Sequence, residues 1–286
     1  MSDWYVYALT ALVLLGVQRF LYKVSAERKC NTAVTTFSFM ATVALISTIL
    51  FFALKGPVPN IGYLLFIATV NSVAFWVATV AHIEALKHIP AHAAYPVIRL
   101  NVVAVVLFSV LYFKDRLSVY QVMGIVLAMG VIAVLTRQLS DQEKTDGDLR
   151  RGFLFVIISL LSGAVAAISC KFAALNTDRL AFIAVSYIVA TFLSFGVRHK
   201  FQMKQAHTHP KDALIIGILM GVTNLAGFYA FLKALSLGPL SIVVSITGMH
   251  FVIAIILSAW IYKERLTGIR MLCVAFTVLS IILLRL

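Results

Sequence analysis

Arg99 lies nine residues into an apolar run, roughly 12–14 Å from its start at the 1.5 Å rise of a helix. A guanidinium keeps its proton, so at that depth it must meet an anion, an array of carbonyls or water. His92, Tyr95 or Pro96, and Arg99 share one face at helical spacing. One reading makes Arg99 the binder of a substrate carboxylate or phosphate. The other makes it half of an internal ion pair with Glu84, the one carboxylate well inside an apolar run. Glu84 could in turn carry a coupling proton, or pair with Lys233 and lock one state.

Further polar side chains sit among apolar neighbours. Asn71, Phe75 and His82 share a face of one run, Asn224 and Phe228 a face of another, and Thr247 and His250 are close on a third. Polar and aromatic side chains on common faces suit a solute path. Taken singly, each also fits an ordinary interhelical hydrogen bond, worth around 1 kcal/mol or less. Gln18, Arg19 and Lys23 close the first run, and Lys171 closes the sixth; these are expected at the membrane interface or on the pathway. His88 and His92 have the spacing of two metal ligands, but Pro90 between them interrupts the helix, so no metal site is expected.

The elements that carry these residues are ten apolar runs, at about 4–24, 32–54, 61–87, 91–113, 119–137, 152–172, 180–197, 212–235, 239–262 and 268–285. Each approaches the roughly 20 residues needed to cross a bilayer. Gly56-Pro57-Val58-Pro59-Asn60, Pro90 and Pro239 fall between runs. Pro90 and Pro239 are 149 positions apart, and so are Ala85-Leu86 and Ala234-Leu235, Ser109 and Ser258, and Lys114-Asp115-Arg116-Leu117 and Lys263-Glu264-Arg265-Leu266. Lys23 and Lys171 match at a shift of 148. On this register His250 corresponds to Asn101, and Lys233 to Glu84.

The chain thus reads as a first five-helix repeat over 1–137, a polar linker over 138–151 and a second repeat over 152–286. Five spans is an odd number, so equivalent packing requires the second copy to enter the membrane from the opposite side. The expected fold is an all-α integral membrane protein of ten transmembrane helices in two inverted five-helix repeats. Gly217 and Gly221 form a GxxxG pair in the eighth run, which predicts close backbone approach.

Composition excludes most alternatives. Hydrophobic residues make up 62% of the chain and charged residues 12%, too apolar a surface for a soluble fold. The net charge of +13 lies mainly between the apolar runs, where it orients helices in a bilayer, so no nucleic-acid partner is expected. Cys30, Cys170 and Cys273 lack metal-type spacing and read as apolar fillers. The first run has no small-residue cleavage site and reads as a retained helix. HExxH, GxSxG and GxxxxGK[ST] are absent, so the chain is expected to be neither an enzyme nor driven directly by ATP, with no cofactor. The expected partners are a small-molecule solute and the lipid bilayer, with a homodimer left open, and the expected location is the plasma membrane. A membrane scaffold or receptor is the runner-up reading, and an intramembrane enzyme ranks last.

Residues 4–137 and 152–285 resemble two tandem EamA-type domains of the ten-helix drug/metabolite transporter superfamily. The features that carry the resemblance are Ala85-Leu86, Pro90-Ala91, Tyr95-Pro96, Asp115-Arg116-Leu117, Gly124 and Gly130, then Ala234-Leu235, Gly238-Pro239 and Glu264-Arg265-Leu266. Two motifs diverge between the copies, Tyr95-Pro96 becoming Val244-Ser245 and Gly124 becoming Cys273. The resemblance implies secondary transport of a small polar or anionic metabolite such as an amino acid, with export expected. The superfamily's small multidrug exporters use a carboxylate deep in helix one; this chain has none there, and its cationic end argues against cationic drugs. The resemblance also implies cytoplasmic termini, whereas the Lys and Arg distribution places them outside; the sequence leaves both open.

Overall fold

A chain with this little polar surface must satisfy its backbone inside each span, and in hydrocarbon that leaves the helix or the closed barrel. The computed structural model describes residues 3–28, 30–54, 56, 58, 60–88, 97–98, 100–138, 149–201, 210–263 and 268–286. Among them every regular element is helical: α1 (Asp3–Glu27), α2 (Thr32–Leu54), α3 (Ile61–His88), α4 (Asn101–Phe108, continued by a π-helical turn, Ser109–Phe113), α5 (Val119–Gln138), α6 (Leu149–Asn176), α7 (Arg179–Phe201), α8 (Pro210–Leu237), α9 in two segments (Leu240–Gly248 and His250–Ile261) and α10 (Gly268–Arg285). Six described helical spans are long and apolar enough to cross a membrane, and four shorter apolar helices complete the set of ten. Leu111, Phe192, Trp260, Val119 and Phe52 are each at least 70% exposed, as a lipid-facing surface requires.

The halves interleave. α3 lies along α6, and its counterpart α8 lies along α1. α2 packs on α8, and its counterpart α7 packs on α3; α5 packs on α10, a pair that exchange maps onto itself. Exchanging the repeats therefore regenerates the main neighbours, as two inverted copies about a pseudo-two-fold require. The seam also carries hydrogen bonds that cross from one repeat to the other. Tyr5 Oη donates to the Ile281 carbonyl at 2.9 Å, Ser72 Oγ to Ser186 O at 2.9 Å, Ser159 Oγ to Ala78 O at 2.9 Å and Ser280 Oγ to Gly124 O at 2.7 Å.

Both KDRL-type turns begin with a left-handed lysine, Lys114 (φ 55°) and Lys263 (φ 53°), at equivalent positions of the two copies. The GxxxG pair behaves as its spacing predicts. A Cβ on Gly217 would lie 2.5 Å from Ser38 Cβ, and one on Gly221 2.6 Å from Thr42 Cβ, so the bare backbone of α8 lets α2 close on it.

Gly217→Val is expected to cost about 1–3 kcal/mol by overpacking that contact. Thermal unfolding in detergent measures the loss. Gly130, with nothing within 4 Å of an added Cβ, provides the tolerant control as Gly130→Ala.

Candidate functional site

Spans four and nine are both interrupted at equivalent positions. In span nine the Met249 amide reaches back three residues to Ile246 O at 3.1 Å, and helix resumes at His250. In span four the Leu100 amide reaches Val97 O at 3.0 Å, and helix resumes at Asn101. Met249 and Leu100 are 149 positions apart, so the break belongs to the repeated unit. Residues of weak helix propensity stand at these places, Gly248 and His250 in one copy and Asn101 in the other. The two breaks are neighbours: a Cβ on Gly248 would sit 3.8 Å from Val102 Cγ2. Interrupted spans near mid-bilayer free polar backbone for ligands, which is where transporter sites are built.

His250 is the eleventh of 22 residues in the span Leu240–Ile261, so the break in span nine lies at its centre. Its Nδ1 lies 2.7 Å from Thr247 O, and Arg19 Nε donates to its Nε2 at 3.1 Å. Arginine has only donors, so Nε2 must accept. That assigns the ring proton to Nδ1, which donates to the Thr247 carbonyl, and makes the imidazole neutral. α1 comes this close because residue 16 is glycine; a Cβ there would lie 2.6 Å from His250 O.

The Arg19 guanidinium also lies over the Tyr22 ring at 5.6 Å, and Tyr22 meets Phe39 of α2 edge-on. Arg19 and Tyr22 are exposed although α9 flanks them on one side and α2 on the other. A guanidinium bared to lipid would be costly, which favours water rather than lipid beside this surface. One residue away, buried Gln18 accepts at 3.2 Å from Asn224 Nδ2, and Asn224 Oδ1 accepts from the Tyr187 hydroxyl. Phe228 stacks on Phe231 and adjoins Tyr187, forming an apolar wall beside this chain. Across the neighbouring break, Asn101 Oδ1 is buried without a hydrogen-bond partner among the described residues.

Two lysines are held on opposite sides of this cluster. Lys171, 8% exposed, donates to Leu235 O at 2.6 Å and Gly238 O at 2.8 Å, the orphan carbonyls at the C-terminus of α8. Its ammonium lies 5.6 Å from the Phe113 ring centroid. Asp115 of the KDRL turn accepts from Ser109 Oγ and, at 2.8 Å, from Ser241 Oγ in the first turn of α9. At the other face Lys23 donates to Ser258 Oγ and lies 5.4 Å from the Tyr262 ring centroid. Phe113 and Tyr262 are 149 positions apart, as are Ser109 and Ser258, so each lysine meets the ring at the same repeat position in the opposite copy.

The EamA-like transporter family matches residues 2–137 and 150–286, one copy after the other. The chain belongs to this family. A solved structure described only as a crystal structure of a protein matches with a TM-score of 0.78 at 15% identity, covering 100% of this chain and 99% of that one; at that identity it shows the fold alone. No curated protein matches the sequence.

Within this EamA-like frame the residues singled out from sequence separate into groups. Arg99 and Tyr95 lie outside the described residues. Asn71 is packed into the α3–α6 seam, donating to Ala166 O at 2.8 Å and to Ser169 Oγ at 2.9 Å. Phe75, one turn on, is 55% exposed, and His82 is half-buried further along α3. Thr247 is buried and bonds back to Val243 O at 2.8 Å, while its carbonyl serves His250. Glu84 and Lys233 occupy equivalent places near the ends of α3 and α8, and the inversion sends those ends to opposite membrane faces.

Tyr187, Tyr22, Asp115 and Ser241 escaped the sequence reading as site residues. The signal for Tyr187 was Asn224, a buried amide that needs partners. The Asn224→Ala and Gln18→Ala changes are expected to be non-additive, with a coupling of about 0.6 kcal/mol, the average for interhelical bonds in a bilayer. Reversible unfolding in mixed micelles measures it; strict additivity would mean that the 3.2 Å contact contributes nothing.

Proposed function

We propose that this EamA-like protein is a secondary transporter that moves a small polar or anionic metabolite, for example an amino acid, across the plasma membrane by alternating access. The observation that carries the reading is the exposed Arg19 guanidinium beside the central break of span nine, at the seam between inverted halves. An arginine offers a fork of donors that fits a carboxylate or phosphate. Gln18, Asn224 and Tyr187 supply neutral polar contacts next to it, and Phe228 an apolar one. Arg99, from its depth in the fourth apolar run, joins Arg19 in this proposal as a second anion contact.

Rocking about the seam exposes the central cluster to each face in turn, with the Lys171 and Lys23 clusters as the two closures. Net flow follows the solute gradient, and export is the direction we propose for a metabolite made inside the cell. The carrier works in lipid, as a single chain or a homodimer, without nucleic acid or a chemical reaction.

In proteoliposomes with radiolabelled inorganic phosphate, L-glutamate and L-phenylalanine as probes, the wild type is expected to carry at least one. Arg19→Gln should then reduce that flux by about 10- to 100-fold, as loss of a hydrogen bond to a charged group implies. Arg99→Ala should do likewise while still inserting into the membrane. Undiminished flux in both variants would remove the anion-binding reading.

A further inference from the structure

The Arg19–His250 contact has a property that neither residue has alone. The lone pair on His250 Nε2 is the acceptor of the Arg19 Nε–H. Nδ1 is committed to the Thr247 carbonyl through its proton. A further proton on this ring can go only to Nε2, the atom Arg19 already holds. Protonation there turns an acceptor into a donor and sets an imidazolium against a guanidinium, so the bond must break.

Once released, the Arg19 Nε–H needs a new acceptor, and a substrate anion in the water-facing space supplies one. Conversely, an anion that draws the guanidinium away exposes the Nε2 lone pair to a proton. Each event favours the other by the same free energy, as linkage requires. Among the described residues, the neighbouring titratable or charged groups identified by their contacts are Tyr22 and Lys23 on α1 and Cys273 on α10, while α4 and α5 present Val102 and Val131.

We propose that the EamA-like carrier moves its anion together with a proton, taken up on His250 Nε2 as Arg19 changes partner from that nitrogen to the substrate. The inference rests on the transport reading and adds its coupling ion. The balance is simple: one proton adds to the imidazole, one Arg19 N–H passes from nitrogen to an anionic oxygen, and both cargoes leave on the far side. For a monoanion the cycle carries no net charge. An anion accumulated inside then takes a proton out with it.

Two measurements on the full-length protein decide the matter. The first needs no substrate. In lipid nanodiscs, 15N spectra of His250, assigned by its loss in His250→Gln, should show the neutral ring with its proton on Nδ1. Acid titration should convert it to imidazolium together with loss of the Arg19 Nε–H hydrogen bond. An Nε2–H tautomer, or an Arg19 signal indifferent to His250 protonation, would overturn the proposal.

The second uses vesicles containing a pH-sensitive dye, with phosphate, L-glutamate and L-phenylalanine as probes. For a carried probe the lumen pH should change by one proton per molecule, and in His250→Gln the ratio should fall to zero. A probe carried by the wild type with no lumen pH change would refute coupling while leaving transport intact. If none of the probes moves, the transport reading fails for them, and the nanodisc result still decides the Arg19–His250 exchange.

Discussion

An ionised side chain in hydrocarbon costs several kcal/mol unless polar partners surround it. That constraint organises the seam of this molecule. Lys171 is buried against two carbonyls at the end of α8, and Asp115 reaches from the other repeat to the start of α9. Together they secure both sides of the α8–α9 corner, where a helix end would otherwise leave its carbonyls and amides open. The carbonyls that meet Lys171 belong to its own copy, whereas Asp115 comes from the other, so satisfying that carboxylate also docks the halves. Lys23 with Ser258 and Tyr262 does the same at the opposite face.

The centre of the molecule obeys a different requirement. A solute site must remain polar and available, so its groups cannot all be consumed by structure. Arg19 is held by a neutral imidazole rather than by a carboxylate, and it remains exposed between α2 and α9. A contact of that kind is weaker than an ion pair, which suits the proposed exchange for a substrate anion. The interruption of span nine places this contact near the centre of that span, and the two interruptions lie side by side. The clamps at the ends and the weaker contact in the middle are what the proposed alternating access needs: firm closures and an exchangeable centre.

The architecture was legible in the sequence because it is repeated. The shift of 149 aligned the KDRL and KERL turns, and the odd number of spans per copy dictated inversion. The Gly217 and Gly221 spacing likewise foretold where α2 closes on α8. The centre was less legible. Arg19 looked like the end of a span, because the apolar run fades by residue 24, yet α1 continues to Glu27 and Arg19 reaches the middle of span nine. The breaks at Leu100 and Met249 were hidden inside runs that average as strongly apolar, and the prolines drew attention to run ends. Pro239 indeed precedes the first residue of α9, but the interruption within the span lies ten residues further on, at Met249. Tyr187 was unreadable as a polar partner, since a tyrosine in an apolar helix gives no hint of the amide it faces until packing brings Asn224 to it.

The central claim is that the two faces of the seam open in opposition. Spin labels at Arg116 and Leu237 report the face closed by Asp115 and Lys171, and labels at Glu27 and Lys263 report the face closed by Lys23. Pulsed dipolar distances for the two pairs, taken in lipid across a series of pH values and solute probes, test it directly. The account predicts that one pair lengthens whenever the other shortens. Two pairs that widen together, or that never move, would contradict it.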